Sequence, residues 1–244
     1  MHINPPYGFT EIVPLSKTHR VLLPKGLIVP MPFRTMNPMP VSYSEFPVAS
    51  HDYPLVFVSA DQGETFTAMM VLGLEPRQNL YVTPEHTWDI SSYAPAYFRR
   101  YPFCMTRMIV GGEKSTKRLA GVEKGAISNK GERLFDDGGE PLPDWARRQK
   151  LLFEYESDLV RTEEMCKLLV EHDLLEQFTV RISQTSSQSV QLTGLYRVSE
   201  MKLHALPPTV FRQLVQRGVL GRIYAHLLSL DNFNRLEARR ERLH

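Results

Sequence analysis

Apolar residues in the first half of the chain fall in short runs separated by Pro, Gly and Asn. The runs are "HRVLLP", "YPLVFVSA", "TFTAMMVLGL", "NLYVT" and "FCMTRMIVGG". Each has the length of a strand, is rich in β-branched and aromatic residues, and is bounded by turn formers. "SADQGET" reads as a hairpin connection with Asp61 and Gly63 in the turn, and "LEPRQN" as a second reversal. Connections this short predict antiparallel pairing, because a parallel crossover needs a dozen or more residues. Between Pro30 and Pro54 the pattern breaks, with prolines at 30, 32, 38, 40 and 47. That density excludes a regular helix or central strand, and predicts a long packed loop with a short helix near Ser42–Phe46.

The period changes after "LFDDGGEPLPDW". Trp145, Leu152, Leu159 and Cys166 recur every seven residues with Tyr155 and Leu169 on the same side. This predicts one amphipathic helix over about Asp144–Val170, with Asp144 as N-cap and Arg147, Arg148, Glu156 and Glu163 facing solvent. "EQFTVRIS" and "VQLTGLYRVS" alternate as two strands around a polar turn, "QTSSQS". The stretch from Pro207 to Leu243 reads as two helices, the first stopped by Gly218 and the second striped by Leu220, Ile223, Tyr224, Leu227 and Leu230. The expected class is therefore α+β: a mainly antiparallel or barrel-like β-rich part over about 1–140, packed with helices and a hairpin over about 141–244, as one domain of 244 residues.

Composition sharpens little of this. A net charge of +2 is near neutral and disfavours a nucleic-acid binder, which needs a basic face. Cys104 and Cys166 stand far apart, which fits two buried thiols in a reducing compartment better than a disulfide framework. No run approaches the length of a membrane span, and the first residues lack the basic and apolar regions of a secretory signal, so the expected location is cytoplasmic. GxSxG, GxGxxG and HExxH are absent from the sequence, and "GGEKSTK" lacks phosphate-loop spacing. The acid–histidine clusters at Glu85–His86–Asp89 and Glu171–His172–Asp173 do not have ligand spacing, so no metal and no cofactor are expected.

The chemistry that remains is "WDISSYAPAYFRRYPF", Trp88–Phe103, where Arg99 and Arg100 stand in a block of aromatic residues. Two readings are open. The rings are core packing with the arginines turned outward, or they wall a pocket in which a guanidinium holds a carboxylate or phosphate. An extended 95–102 segment would put the two arginines on opposite sides. The preferred alternative, a helical turn begun by Pro95 and ended by Pro102, sets Tyr97 and Arg100 on one face. Arg100 is the favoured anchor, with Tyr97, Tyr93, Trp88, Arg99 and Tyr101 around it. Asn79 is either a turn former or a contributor, and Glu45 either a helix cap or a partner for Arg100.

"GLEPRQNLYV", then "YAPAYFRRYPF", "LFDDGGEP" and "GVLGRIYAHLLSLDNFNRL", in that order, resemble the SapC family of bacterial proteins over roughly Pro30–Leu236. The resemblance implies one compact domain and, through the family's name, an association with peptide transport or surface-layer genes. It carries no catalytic residue. The leading expectation is a non-catalytic binding or accessory protein for a peptide, a partner protein or a small anionic ligand, with a homodimer among the assemblies open to it. The alternative is a small-molecule enzyme in which Arg100 orients an anionic substrate. The alternative predicts a deep pocket converging on Arg100, and the leading expectation a shallower surface.

Overall fold

The computed structural model describes residues 3–110, 113–182 and 190–243. Its strands are β1 (Ile12–Pro14), β2 (Arg20–Val21), β3 (Met39–Pro40), β4 (Leu55–Val58), β5 (Thr67–Met70), β6 (Phe103–Val110), β7 (Glu113–Glu123), β8 (Glu132–Arg133), β9 (Leu175–Ile182) and β10 (Val190–Val198). The α-helices are α1 (Phe46–Ala49), α2 (Ala96–Arg99), α3 (Pro143–Glu171), α4 (Glu200–His204), α5 (Pro208–Gln216), α6 (Val219–Ser229) and α7 (Asn232–Leu243). Every strand pairing is antiparallel. The sheets run β1-β7-β6, β2-β8 and β3-β5-β4-β10-β9, all with open edges, so the class is α+β without a barrel.

Two compact units divide the chain. The first comprises Met1–Arg34, Val82–Ile90 and Ala96–Ser157, and the second Thr35–Tyr81, Ser91–Pro95 and Asp158–His244. α3 contributes its first half to the first unit and the remainder to the second.

In the first unit, β6 and β7 pair from Phe103↔Val122 outward, and β1 joins the other edge of β7 through Val13↔Val122. Val21, Phe103, Val122, Leu134, Trp145 and Leu152 close into one apolar cluster beneath this sheet. Trp145 and Leu152 belong to the seven-residue stripe of α3, and Trp145 packs on Phe103 with ring centroids 4.7 Å apart. The carboxylate of Glu123, at the end of β7, accepts the backbone N–H groups of Thr10 at 2.8 Å and Glu11 at 3.1 Å. Those bonds fix the segment that carries Phe9. Asp144 lies inside the first turn of α3, which begins at Pro143, rather than capping it.

In the second unit, the predicted 59–65 turn lies in the connection from β4 to β5, with Asp61 accepting from the Thr65 N–H at 2.8 Å and Gly63 at φ +101°. The "LEPRQN" reversal also forms, because the Leu80 N–H donates to Leu72 O at 2.9 Å. The run "NLYVT" beyond it does not form a strand, however. Asn79 Oδ1 accepts the Tyr81 N–H at 3.1 Å, and this local Asx bond turns the chain where β-propensity alone predicts extension. α6 lies on the sheet through Val219, Ile223 and His226. Tyr224 is exposed and His226 buried, so the buried stripe is rotated from the predicted one. The C-terminal stretch is three helices rather than two, since the chain breaks at Leu230–Asp231 between α6 and α7. Cys104 and Cys166 are buried and unpaired, and burial pushes both thiols up to about 12. Among the described residues, no helix is long and apolar enough to cross a membrane.

Candidate functional site

Pro95 and Pro102 bracket a single helical turn, α2, as their backbone chemistry requires. Consecutive residues on a helix diverge by about 100°, so Arg99 and Arg100 point apart. Arg100 turns inward and is 4% exposed. Its guanidinium lies 4.2 Å from the centroid of Tyr97, 5.0 Å from Tyr155 and 5.2 Å from Phe9. Its Nε has no hydrogen-bond partner among the described residues. Tyr97 is held in turn by donating its hydroxyl to Tyr7 O at 2.6 Å, and burial raises its pKa against the opposing pull of Arg100.

Arg99 turns outward into a pocket of about 490 Å³ in the first unit. Facing it are Arg147, Arg148 and Lys150 from the first two turns of α3, with Glu154 one turn further on. Leu27, Phe98, Tyr101 and Leu151 are the large apolar residues of the lining, Phe98 being only 4% exposed. The rings are braced from behind. Phe98 stacks on Trp88 at 5.3 Å and 18°, and Tyr101 packs on Phe33 and Phe9, each at 5.4 Å. Burial, with a smaller push from Glu123, raises the pKa of Tyr101, so its hydroxyl keeps its proton.

Electrostatically the lining is one-sided. Arg147 pairs with Asp144 on its own turn. Lys150 reaches Glu154 only loosely, at 3.8 Å with both side chains exposed. Arg148 is half-buried and makes no ion pair or hydrogen bond among the described residues. Burial lowers its pKa, more than the charges of Asp144 and Glu132 raise it. Cations in the first turns of a helix also stand against the macrodipole, which favours anions there. The arrangement can therefore hold an anion against rings that exclude water.

The eight sequence candidates thus separate. Arg99 and Tyr101 line the pocket, while Arg100, Tyr97 and Trp88 lie in the packing of the same unit. Tyr93, Glu45 and Asn79 belong to the second unit. There Tyr93 donates its hydroxyl to Glu45 Oε1 at 3.0 Å, and Glu45 accepts from the backbone N–H of Ser42 at 3.1 Å and its hydroxyl at 2.6 Å. That is the capping role, which starts the 3₁₀ turn Tyr43–Glu45 ahead of α1. The helical period assigns Arg147 and Arg148 to solvent; Arg147 is exposed, whereas Arg148 is half-buried at the pocket, which corrects the reading for that residue. Lys150 joins them there without having been singled out by its sequence position. Glu156 is corrected too, since it pairs with Arg118. The available signal was three cations crowded at a helix start, where elementary electrostatics disfavours them.

The fold and pocket define an α+β protein of open antiparallel sheets, with a cationic, ring-walled cleft in its first unit. The chain belongs to the SapC family, whose model matches residues 31–236. No curated protein and no solved structure matches it.

Proposed function

We propose that this chain is a binding protein whose first unit captures a small organic anion in the pocket beside Arg99. The observation that carries this reading is the charge of the lining. Arg99, Arg147, Arg148 and Lys150 line the pocket against Glu154 in the lining and Asp144 beside it, with Phe98 and Tyr101 among the lining residues. Guanidinium forks suit carboxylate and phosphate because they stay charged and can donate two bonds at once. The carboxylates of an acidic peptide fall within the same chemistry, which keeps the uptake association compatible with the pocket. Arg100, behind the aromatic wall, serves as packing that holds Tyr97 and Phe9 in place.

The test is calorimetric titration of small aromatic anions at low ionic strength, using the native chain and an Arg99→Gln, Arg148→Gln double variant. Loss of two charge-assisted contacts is expected to weaken binding by about 100-fold. Affinity should also fall as salt rises, because the lining is partly solvated. Undiminished binding by the double variant would remove the pocket from this reading.

A further inference from the structure

α3 carries a second heptad on the side away from its buried stripe. Lys150, Phe153, Ser157, Val160 and Glu164 follow one another at steps of three and four residues, the spacing of a coiled-coil seam, and all five are exposed. Phe153 is 54% and Val160 42% exposed, on a helix whose other side already buries Leu152, Tyr155 and Leu169. The outer face of a surface helix ordinarily carries polar residues, so two large apolar ones in line are an unpartnered stripe. The seam runs along one continuous helix, and its geometry is that of the helix alone.

The order of residues in the seam is complementary to its own reverse. Lys150 and Glu164 stand seven residues to either side of Ser157, with Phe153 and Val160 between them. Let a second copy of the helix run antiparallel across Ser157. Each Lys150 then comes level with Glu164 of the other copy, and two opposite-charge pairs close the ends of the contact. Each Phe153 falls within one residue's rise, about 1.5 Å, of the other copy's Val160. The small side chain of Ser157 lets the two helices approach at the crossing, since side-chain size there sets the distance between axes. A parallel pair would instead set lysine against lysine and glutamate against glutamate.

The charges that this pairing uses are not firmly held within the chain. Glu164 makes no ion pair among the described residues. Lys150 meets Glu154 only at 3.8 Å, with both side chains exposed. The neighbouring cations are engaged on their own turns, Arg161 with Asp158 and Arg147 with Asp144.

We propose that the exposed seam of α3 is the contact of a homodimer, in which two copies of this chain pair antiparallel about Ser157. A second copy is the occupant because the same fifteen residues, Lys150 to Glu164, supply both halves of the charge pattern. Such a seam is about 21 Å long, which is short for a protein interface. The dimer is therefore weak, with a dissociation constant on the order of 10–100 µM.

Sedimentation equilibrium of the full chain between about 1 and 300 µM brackets that range, and a monomer–dimer equilibrium is expected. Phe153→Ser should weaken association by about tenfold or more. Glu164→Lys and Lys150→Glu, each alone, should weaken it by about tenfold, because each sets like charges across the axis. The combined variant, Lys150→Glu with Glu164→Lys, should recover native association. That recovery separates a contact between copies from a loss of folding. Lys150 also lines the anion pocket, so the exchange is read by association and not by ligand binding. A chain that stays monomeric throughout, or a dimer that survives Phe153→Ser, would overturn the proposal. Single exchanges that weaken association without recovery in the combined variant would overturn the antiparallel pairing. Each of these results leaves the anion-binding reading standing.

Discussion

Arg100 holds its charge at 4% exposure with rings on three sides, and those rings supply what a carboxylate would supply elsewhere. The face of an aromatic ring is electron-rich, and its attraction for a cation grows as water is excluded. The side chain's long stem also fills volume between Tyr97 and Tyr155, so truncation and neutralisation should behave differently. Arg100→Ala opens a cavity and is expected to cost about 2–4 kcal/mol. Arg100→Met keeps the stem, removes a partly unsatisfied polar group, and should stay within about 1 kcal/mol of the native chain. Urea unfolding followed by tryptophan fluorescence reads both, since Trp88 and Trp145 lie in the same unit as Arg100. An equal loss in the two variants would show that the charge, and not the filled volume, holds the turn. The sequence made the aromatic–arginine block visible and its helical turn preferable. It could not decide which arginine faces inward, because that depends on Phe9 and Tyr155, distant in sequence and brought there by the Glu123 anchor and by α3.

At the scale of elements, strands and helices of clear period were legible, and the departures have local causes. Asn79 turns a run that reads as a strand, and the chain breaks after Leu230 in what reads as one helix. The reversal Gly73–Gln78 shows how such a connection is fixed. Asn37 Nδ2 donates to Gly73 O at 2.9 Å, its Oδ1 accepts the Leu72 N–H at 3.0 Å, and Gln78 Oε1 accepts the Leu74 N–H at 2.8 Å. A Cβ on Gly73 would meet Gln78 O at 2.2 Å, a backbone atom that cannot rotate away. Gly73→Ala should therefore cost more than about 2 kcal/mol, while Gly125→Ala, with nothing within 4 Å of the added carbon, should stay within about 0.5 kcal/mol. Chemical denaturation of the two variants checks the contrast.

Across the whole molecule, near-neutral net charge hides a local excess in the pocket, which is why composition alone said nothing of anions. The second unit hides a titration in the same way. His226 is fully buried, accepting the Val198 N–H on Nε2 at 3.0 Å, so its other nitrogen must carry the proton and donate to Leu55 O at 2.8 Å. It thus ties β4 and β10 together where they share a single pairing, Tyr196↔Phe57. Burial, opposed by the bond to Leu55 and aided weakly by Arg197, pushes its pKa down to about 4 from 6.5. The folded state then refuses a proton that the unfolded chain accepts. The stabilisation is complete above about pH 6.5 and is lost progressively as pH falls toward 4, on the order of 3 kcal/mol across the window. Both tryptophans report on the first unit, so hydrogen exchange at the Val198 amide is the appropriate observable. Its protection should fall more steeply between pH 6.5 and 4 than carboxylate titration alone produces. In His226→Gln the amide should start less protected, and the part of the acid slope due to the imidazole should vanish. An unchanged slope in that variant would mean that the imidazole does not set the acid limit of this unit.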